Sequence, residues 1–119
     1  MMKFIQVTIR TAAFEKEIGF YQEIAGLTIV RDARPGRQMV FLADQQGDTC
    51  VEILKEEGAE NAGSKYLSIG FQVADAETMR ADLMAKGLEA TEMIQPSTTA
   101  KFFFVKDPAG VSVQFLQRL

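Results

Sequence analysis

Residues 104–110 read Phe-Val-Lys-Asp-Pro-Ala-Gly, and the alternating stretch Val111 to Leu116 (VSVQFL) follows directly. Proline at the second position and glycine at the fourth position of Asp107 to Gly110 are typical of a type I turn. The aromatic run before this turn and the alternating run after it favour strands. The end of the chain is therefore predicted to form two strands, Lys101 to Val105 and Val111 to Leu116, joined by a tight turn.

The elements before this pair follow from the same signals. Tyr66 to Val73 (YLSIGFQV) alternates like a strand. Asp75 can cap a helix over Ala76 to Lys86, and Gly87 suits the left-handed position that ends a helix. Leu88 to Ile94 is predicted as a strand. The second half of the chain therefore has the order β-α-β-β-β.

The first half of the chain has the same order of elements. Lys3 to Arg10 alternates like a strand, with a fully apolar face formed by Ile5, Val7 and Ile9. Thr11 is predicted to cap an amphipathic helix that runs to about Ala25 and is closed by Gly26. Three further strands are predicted over Leu27 to Ala33, Arg37 to Ala43 and Thr49 to Lys55.

The two halves read as diverged copies of one unit. A shift of 62 residues places Val51 on Val113, Leu54 on Leu116, Phe41 on Phe103 and Glu52 on Gln114. Residues 57–64 (EGAENAGS) contain no large apolar side chain and read as a linker. We predict a single domain over residues 1–119, made of a first module (1–56), the linker and a second module (65–119).

Composition limits the class of protein. The 13 basic and 16 acidic residues give a net charge of −3, with no basic run to bind nucleic acid or an anionic membrane. No stretch approaches the roughly 18 apolar residues that cross a membrane, and no signal peptide is visible. Cys50 is the only cysteine, so no internal disulfide can form and a cytoplasmic location is expected. There is no histidine, so any catalysis depends on carboxylates, Lys, Tyr, Cys or a bound ion.

Three short motifs carry a family resemblance: Phe20-Tyr21 and Gly26-Leu27 after the first strand, and Phe104 to Gly110 before the last. With the duplicated order of elements, the chain resembles the vicinal oxygen chelate superfamily of glyoxalase I, bleomycin-resistance proteins and extradiol dioxygenases. The resemblance implies an α+β fold in which two βαβββ modules form cupped mixed sheets around a cavity. It also implies a homodimer, although two complete modules can close a cavity within one monomer.

The resemblance places a divalent ion on four strand positions, here Gln6, Glu52, Ser68 and Gln114. Strand parity independently puts each of them on the less apolar face of its strand. Zn²⁺ and Ni²⁺ favour imidazole, thiolate and carboxylate ligands, whereas this set holds one carboxylate, two amides and one hydroxyl. We therefore predict no metal and no other cofactor, with Gln6 and Glu52 as weak candidates for a metal site.

The less apolar faces of these strands are predicted to bind a small molecule. The residues assigned to them are Gln6, Thr8, Arg10, Cys50, Glu52, Leu54, Ser68, Phe104, Ser112 and Gln114. Strand parity does not show which of Phe102, Phe103 and Phe104 faces the cavity, because three consecutive phenylalanines occupy both faces of a strand. Arg10 can pair with Glu52, bind an anionic ligand or remain solvated. No catalytic residue is assigned; Glu52 is the best candidate for a general base, and the alternative is a carboxylate hydrogen-bonded by Gln6 or Gln114.

Three functions follow from these observations. The leading hypothesis is a metal-free protein that binds a small organic molecule, like the drug-resistance branch of the family. The alternative is a divergent metal-dependent lyase, isomerase or dioxygenase that holds an ion through Gln6 and Glu52. The third is a subunit whose main task is assembly.

Overall fold

The first unit, Met1–Ala62, is one mixed sheet with a helix on one face. The structure is a computed structural model that describes all residues, 1–119. The sheet has the order β1-β4-β3-β2, in which β1 and β4 are parallel and the other pairs antiparallel. The elements are β1 (Gln6–Thr11), α1 (Phe14–Glu23), β2 (Thr28–Asp32), β3 (Met39–Ala43) and β4 (Cys50–Lys55).

The core of the first unit lies between α1 and one sheet face, as the alternating pattern predicts. The helix contacts β3 and β4. The buried strand residues on this face are Ile9, Val40, Leu42, Val51 and Ile53. The buried helix residues are Phe14, Glu17, Ile18, Phe20 and Tyr21. Alternate strand residues are left on the opposite face, which we call the first site face.

The start of α1 differs from the prediction. Ala13 is the N-cap and makes no side-chain cap hydrogen bond. Thr11 is the last residue of β1, where its Oγ1 accepts a hydrogen bond from the Ala13 backbone N–H at 3.0 Å. The hydroxyl therefore closes the turn between strand and helix instead of capping the helix.

The second unit, Gly63–Leu119, repeats this plan. Its elements are β5 (Ser68–Gln72), α2 (Ala76–Ala85), β6 (Ala100–Lys106) and β7 (Ser112–Arg118). The sheet order is β5-β7-β6, with β5 and β7 parallel and β6 and β7 antiparallel. Asp75 caps α2 as predicted, because its carboxylate accepts from the Thr78 backbone N–H. The expected α+β fold of two βαβββ modules with mixed sheets is confirmed.

The strand predicted over Leu88 to Ile94 is wrong as an unbroken element. Only two isolated bridges join this segment to β6, Ala90 to Val105 and Ile94 to Phe102. Between them the Phe104 backbone N–H donates to the Thr91 hydroxyl rather than to a backbone carbonyl. A side-chain hydroxyl that replaces a ladder acceptor interrupts the strand pattern at that point.

Two apolar residues of the predicted strands Lys3 to Arg10 and Tyr66 to Val73 lie outside the core. Ile5 and Leu67 precede β1 and β5 and are 58% and 68% exposed. Both strands begin later than predicted, so these side chains fall beyond the faces that the helices cover. The division of the chain at residues 62 and 63 lies inside the predicted linker. Neither helix is long and apolar enough to cross a membrane.

Candidate functional site

A hydrogen-bonded cluster occupies the first site face where β1 and β4 lie side by side. Thr8 is the register partner of Glu52, and Gln6 lies two residues before it on the same face. The Thr8 hydroxyl donates to Glu52 Oε1 at 2.6 Å, and the Gln6 side-chain amide donates to the same oxygen at 2.9 Å. Glu52 is only 8% exposed, so this carboxylate is held in place by two donors.

The row through Glu52 continues across the whole sheet. Glu52 lies opposite Phe41 in β3, and Phe41 lies opposite Arg31 in β2. The Arg31 guanidinium carbon lies 5.2 Å from the centroid of the Phe41 ring, within cation–π distance. The sequence predicts no role for Arg31. Simple alternation puts Arg31 on the same face as Ile29, under the helix. The only sequence feature that could have pointed to Arg31 was therefore a charged residue at a position expected to be in the core.

Other predicted residues of the first unit lie on this face without joining the cluster. Arg10 lies opposite Leu54 and is exposed. It forms no ion pair, so the predicted alternative in which it pairs with Glu52 does not occur. Cys50 lies opposite Gln6, and its thiol donates to the Asp48 backbone carbonyl at a sulfur-to-oxygen distance of 3.3 Å. Leu54 is half-buried.

The second unit has an equivalent face, which carries Gln114 and Ser112 of β7 and which we call the second site face. Gly70 lies opposite Gln114, as Thr8 lies opposite Glu52 in the first unit. A Cβ at Gly70 would lie 3.1 Å from Gln114 Oε1, so the amide of Gln114 extends over the bare glycine. Ser68 lies opposite Ser112 and is exposed. The cluster of the first unit therefore has a neutral counterpart.

The structure separates the three consecutive phenylalanines. Phe104 lies opposite Gln114 and Phe102 opposite Leu116, so both belong to the second site face. Their rings meet edge to face at 5.7 Å. Phe103 is fully buried on the other face and stacks on Phe115 at 5.5 Å. The observed strand register thus shows which phenylalanines lie on the site face and which lies in the core, a question that three identical residues leave open in the sequence.

The same register corrects the internal alignment. Phe41 lies opposite Glu52 and Phe104 lies opposite Gln114, so Phe41 corresponds to Phe104 rather than to Phe103. The connection from β6 to β7 is one residue shorter than that from β3 to β4. The shift between copies is therefore 63 residues before this turn and 62 after it.

A cavity of about 560 Å³ lies beside β6 in the second unit. It brings together two residues predicted for ligand binding, Phe104 and Ser112, with Lys106, which is in the same strand as Phe104 and lies opposite Ser112. Its other wall is the segment 87–91, in which Gly87 was predicted to end the helix and residues 88–91 to belong to a regular strand. Because that segment makes only isolated bridges, space remains beside the sheet.

The donor atoms of the four family positions match a transition metal poorly. Glu52 is the only anionic group among them, and its Oε1 already accepts two hydrogen bonds. Gln6 presents its amide nitrogen, a donor, to that carboxylate. Gln114 and Ser68 are neutral, and no three His, Cys, Asp or Glu residues of the chain form a group that could hold a metal.

Known proteins match the chain over almost its whole length. The model of the Glyoxalase/Bleomycin resistance protein/Dioxygenase superfamily matches residues 3–115. Lactoylglutathione lyases from two Neisseria meningitidis strains, of serogroups A and B, are 26% identical to it, covering 98% of this chain and 91% of each relative.

Solved structures share the fold. The trypanothione-dependent glyoxalase I of Leishmania major has a TM-score of 0.79 and 22% identity, covering 98% of this chain and 87% of that one. An antibiotic-binding protein from Streptomyces sp. CB03234 has a TM-score of 0.76 and 16% identity, covering 100% and 98%. With the family model spanning both units and the expected fold observed, this chain belongs to the Glyoxalase/Bleomycin resistance protein/Dioxygenase superfamily.

Proposed function

We propose that this protein binds a small organic molecule on its site faces without a resident metal ion. The observation that carries the proposal is the state of Glu52. Its carboxylate is nine-tenths buried and is already hydrogen-bonded by Gln6 and Thr8 on one oxygen. A carboxylate held in this way is a preorganised acceptor for a ligand N–H or O–H group.

The surrounding residues have the mixture that small-molecule sites use. Such sites combine apolar and aromatic surface with a few fixed polar groups. Phe41 lies opposite Glu52 in the first unit; in the second unit Phe104 lies opposite Gln114, and Phe102 contacts Phe104 edge to face. On the first site face we propose further ligand contacts at Arg10, Cys50 and Leu54. On the second site face, taken by itself, we propose contacts at Ser68 and at Ser112, which lines the cavity beside β6.

Relatives with different activities are compatible with this proposal. One structural neighbour is an antibiotic-binding protein, so the fold can bind small organic molecules. A divergent metal-dependent lyase, isomerase or dioxygenase is the second candidate, and its support is the 26% identity to lactoylglutathione lyases over 98% of the chain. In that case Gln6 and Glu52 would hold the ion, and Glu52 would be the candidate base.

Metal analysis separates the two candidates. The protein is purified without added metal and its metal content is measured, and lactoylglutathione formation is then assayed with and without added Zn²⁺ or Ni²⁺. We expect substoichiometric metal and no metal-dependent activity. Stoichiometric metal together with activity that a chelator abolishes would overturn the proposal.

A thermal-shift screen of metabolites and antibiotics tests binding itself. A ligand at a hundred times its Kd stabilises the folded state by about 2.7 kcal/mol, so a true ligand raises Tm by on the order of 10 °C. Glu52→Gln and Thr8→Val should weaken a confirmed ligand, whereas the control Lys16→Gln, on the exposed side of α1, should not. A broad screen without a hit would contradict the proposal and favour the assembly role.

We also propose a cytoplasmic homodimer. One of the two edge strands of each sheet is the first strand of its unit, β1 in the first unit and β5 in the second. Exposed apolar side chains precede both strands: Phe4 and Ile5 before β1, and Tyr66 and Leu67 before β5. Unpaired strand edges flanked by apolar surface favour association between chains. Light scattering measures the mass directly, and a monomer at all concentrations tested would refute the dimer.

A further inference from the structure

We propose that Arg31 is the anion-binding residue of the first site face, and that the ligand of this face carries an acidic group at one end and a cationic donor at the other. The inference rests on the proposed small-molecule function and goes beyond it by naming the chemical class of the ligand. The cationic end meets Glu52 and the acidic end meets Arg31, with the apolar middle of the ligand beside Phe41.

The row across the sheet sets the spacing of the two charges. Glu52, Phe41 and Arg31 are consecutive register partners on three neighbouring strands. Neighbouring strands lie about 4.8 Å apart, so the Cα atoms of Glu52 and Arg31 are separated by about 10 Å. A single small molecule lying across the strands can reach both side chains.

The guanidinium of Arg31 is positioned but has no anionic partner. The four ion pairs of the chain join Arg34 to Glu15 and Asp32, Arg80 to Glu92, and Lys101 to Glu77. Arg31 takes part in none of them and instead lies over the Phe41 ring. Stacking on a ring orders the planar group while its N–H donors remain available for a carboxylate or phosphate.

A β-bulge places Arg31 on this face. Ile29 pairs with Leu42, and the next register pair joins Arg31 to Phe41, so β2 has one residue more than β3 between the two pairs. Without that extra residue, Val30 would lie opposite Phe41 and Arg31 opposite Val40, on the face covered by α1. Bulges of this kind re-aim a side chain. Here the bulge turns a cation out of the core and onto the face that holds Glu52.

The corresponding row of the second unit has no charges. It consists of Gly70, Gln114 and Phe104, and the next position holds Thr91, whose hydroxyl accepts from the Phe104 backbone N–H. Two opposite charges on either side of a phenylalanine are therefore a property of the first unit and not of the duplicated fold.

A matched set of probes tests the proposal: aminocaproate carries both end groups, whereas hexylamine and caproate each carry one. Binding is followed by ¹⁵N–¹H NMR titration of the full chain. We expect aminocaproate to bind about tenfold more tightly than either single-ended probe, with shifts at Glu52, Phe41 and Arg31, because each charged hydrogen-bonded contact adds of the order of a tenfold gain. Equal binding of the three probes, or no binding, would overturn the proposal.

Variants of Arg31 test where the acidic end of the probe binds. Arg31→Gln should reduce aminocaproate binding to the level of hexylamine, and Arg31→Lys should restore part of the loss. Lys16→Gln, which removes a charge from the exposed side of α1, should leave the probe unaffected. Arg10→Gln tests the other arginine of the first site face, which lies along β1 rather than across the strands from Glu52. A loss in Arg10→Gln with none in Arg31→Gln would contradict the assignment. That outcome would leave the proposed small-molecule function intact if the thermal-shift screen has given a ligand, because the screen does not depend on these variants.

Discussion

Gly70 and Gln114 lie opposite each other in β5 and β7, and a Cβ added to Gly70 would come within 3.1 Å of Gln114 Oε1. The same register position in the first unit pairs Thr8 with Glu52, whose side chains share a hydrogen bond of 2.6 Å. A threonine in one unit and a glycine in the other therefore decide how the side chain opposite is placed.

Substitution at Gly70 should move Gln114 without unfolding the second unit. In Gly70→Ala the new methyl group meets the flexible end of Gln114, which has to shift by a few tenths of an ångström. The free energy of unfolding should change by less than about 1 kcal/mol, the range of strand propensities. The side-chain amide signals of Gln114 in an NMR spectrum report the displacement. Gly70→Thr adds a hydroxyl and should shift them further; unchanged signals in both variants would show that the contact is unimportant.

Thr8→Val should destabilise the first unit. The variant keeps the shape of the side chain but removes a donor from a carboxylate that is 8% exposed. Hydrogen bonds to charged groups contribute about 1.5–3 kcal/mol, and we expect a loss near the lower end because Gln6 still donates to the same oxygen. Urea denaturation should show a lower midpoint with the same slope. Thr8→Ser keeps the hydroxyl and is the control; equal losses in both variants would be inconsistent with a role for the hydrogen bond.

Asp107→Ala should disrupt the turn between β6 and β7. The Asp107 carboxylate is 4% exposed, and its Oδ1 accepts from the backbone N–H groups of Ala109 and Val111 at 3.0 and 2.9 Å. Removing the acceptor leaves both N–H groups without it, at a cost of about 3 kcal/mol in the free energy of unfolding. Asp107→Asn keeps an oxygen in place and should cost less than half as much. If the two variants unfold at the same urea concentration, the oxygen is not what stabilises the turn.

The sequence predicted the elements and the polar faces well because alternation and turn chemistry are local properties. It placed Gln6, Thr8 and Glu52 on one face, and the structure joins them by hydrogen bonds. It could not place Arg31, because a bulge shifts the parity of β2 and bulges leave no fixed pattern in the sequence.

The segment after α2 was mispredicted for a related reason. The composition of residues 88–94 suits a strand, but the Thr91 hydroxyl accepts the Phe104 backbone N–H in place of a carbonyl. Competition between a side chain and the backbone depends on the partner strand, which lies a variable distance away in sequence. The cavity beside β6 follows from that local failure of pairing and was therefore missed.

The pair formed by Asp32 and Arg34 gives a prediction on pH. Hydrogen bonds from the Arg34 side chain at 2.9 and 2.7 Å, and one from its backbone N–H at 3.0 Å, lower the pKa of Asp32 from 3.8 to about 2. Because the pKa is lower in the folded state, the pair contributes stability above pH 3.8, and this contribution is lost as the pH falls towards 2. Arg34→Gln should return the pKa of Asp32 towards 3.8 and make stability less dependent on pH in this interval.

Asp75 is the internal control for that titration. Its pKa is also lowered, but the main cause is the hydrogen bond from the Thr78 backbone N–H at the start of α2 rather than an arginine. In an NMR titration of carboxyl carbons, Arg34→Gln should shift the midpoint of Asp32 and leave that of Asp75 unchanged. Added salt should raise the pKa of Asp32 only slightly. Direct hydrogen bonds lower this pKa, whereas salt screens charges that interact over longer distances. If Asp32 titrates identically in the native protein and in Arg34→Gln, the hydrogen bonds from the Arg34 side chain are not what lowers its pKa, and the prediction is wrong.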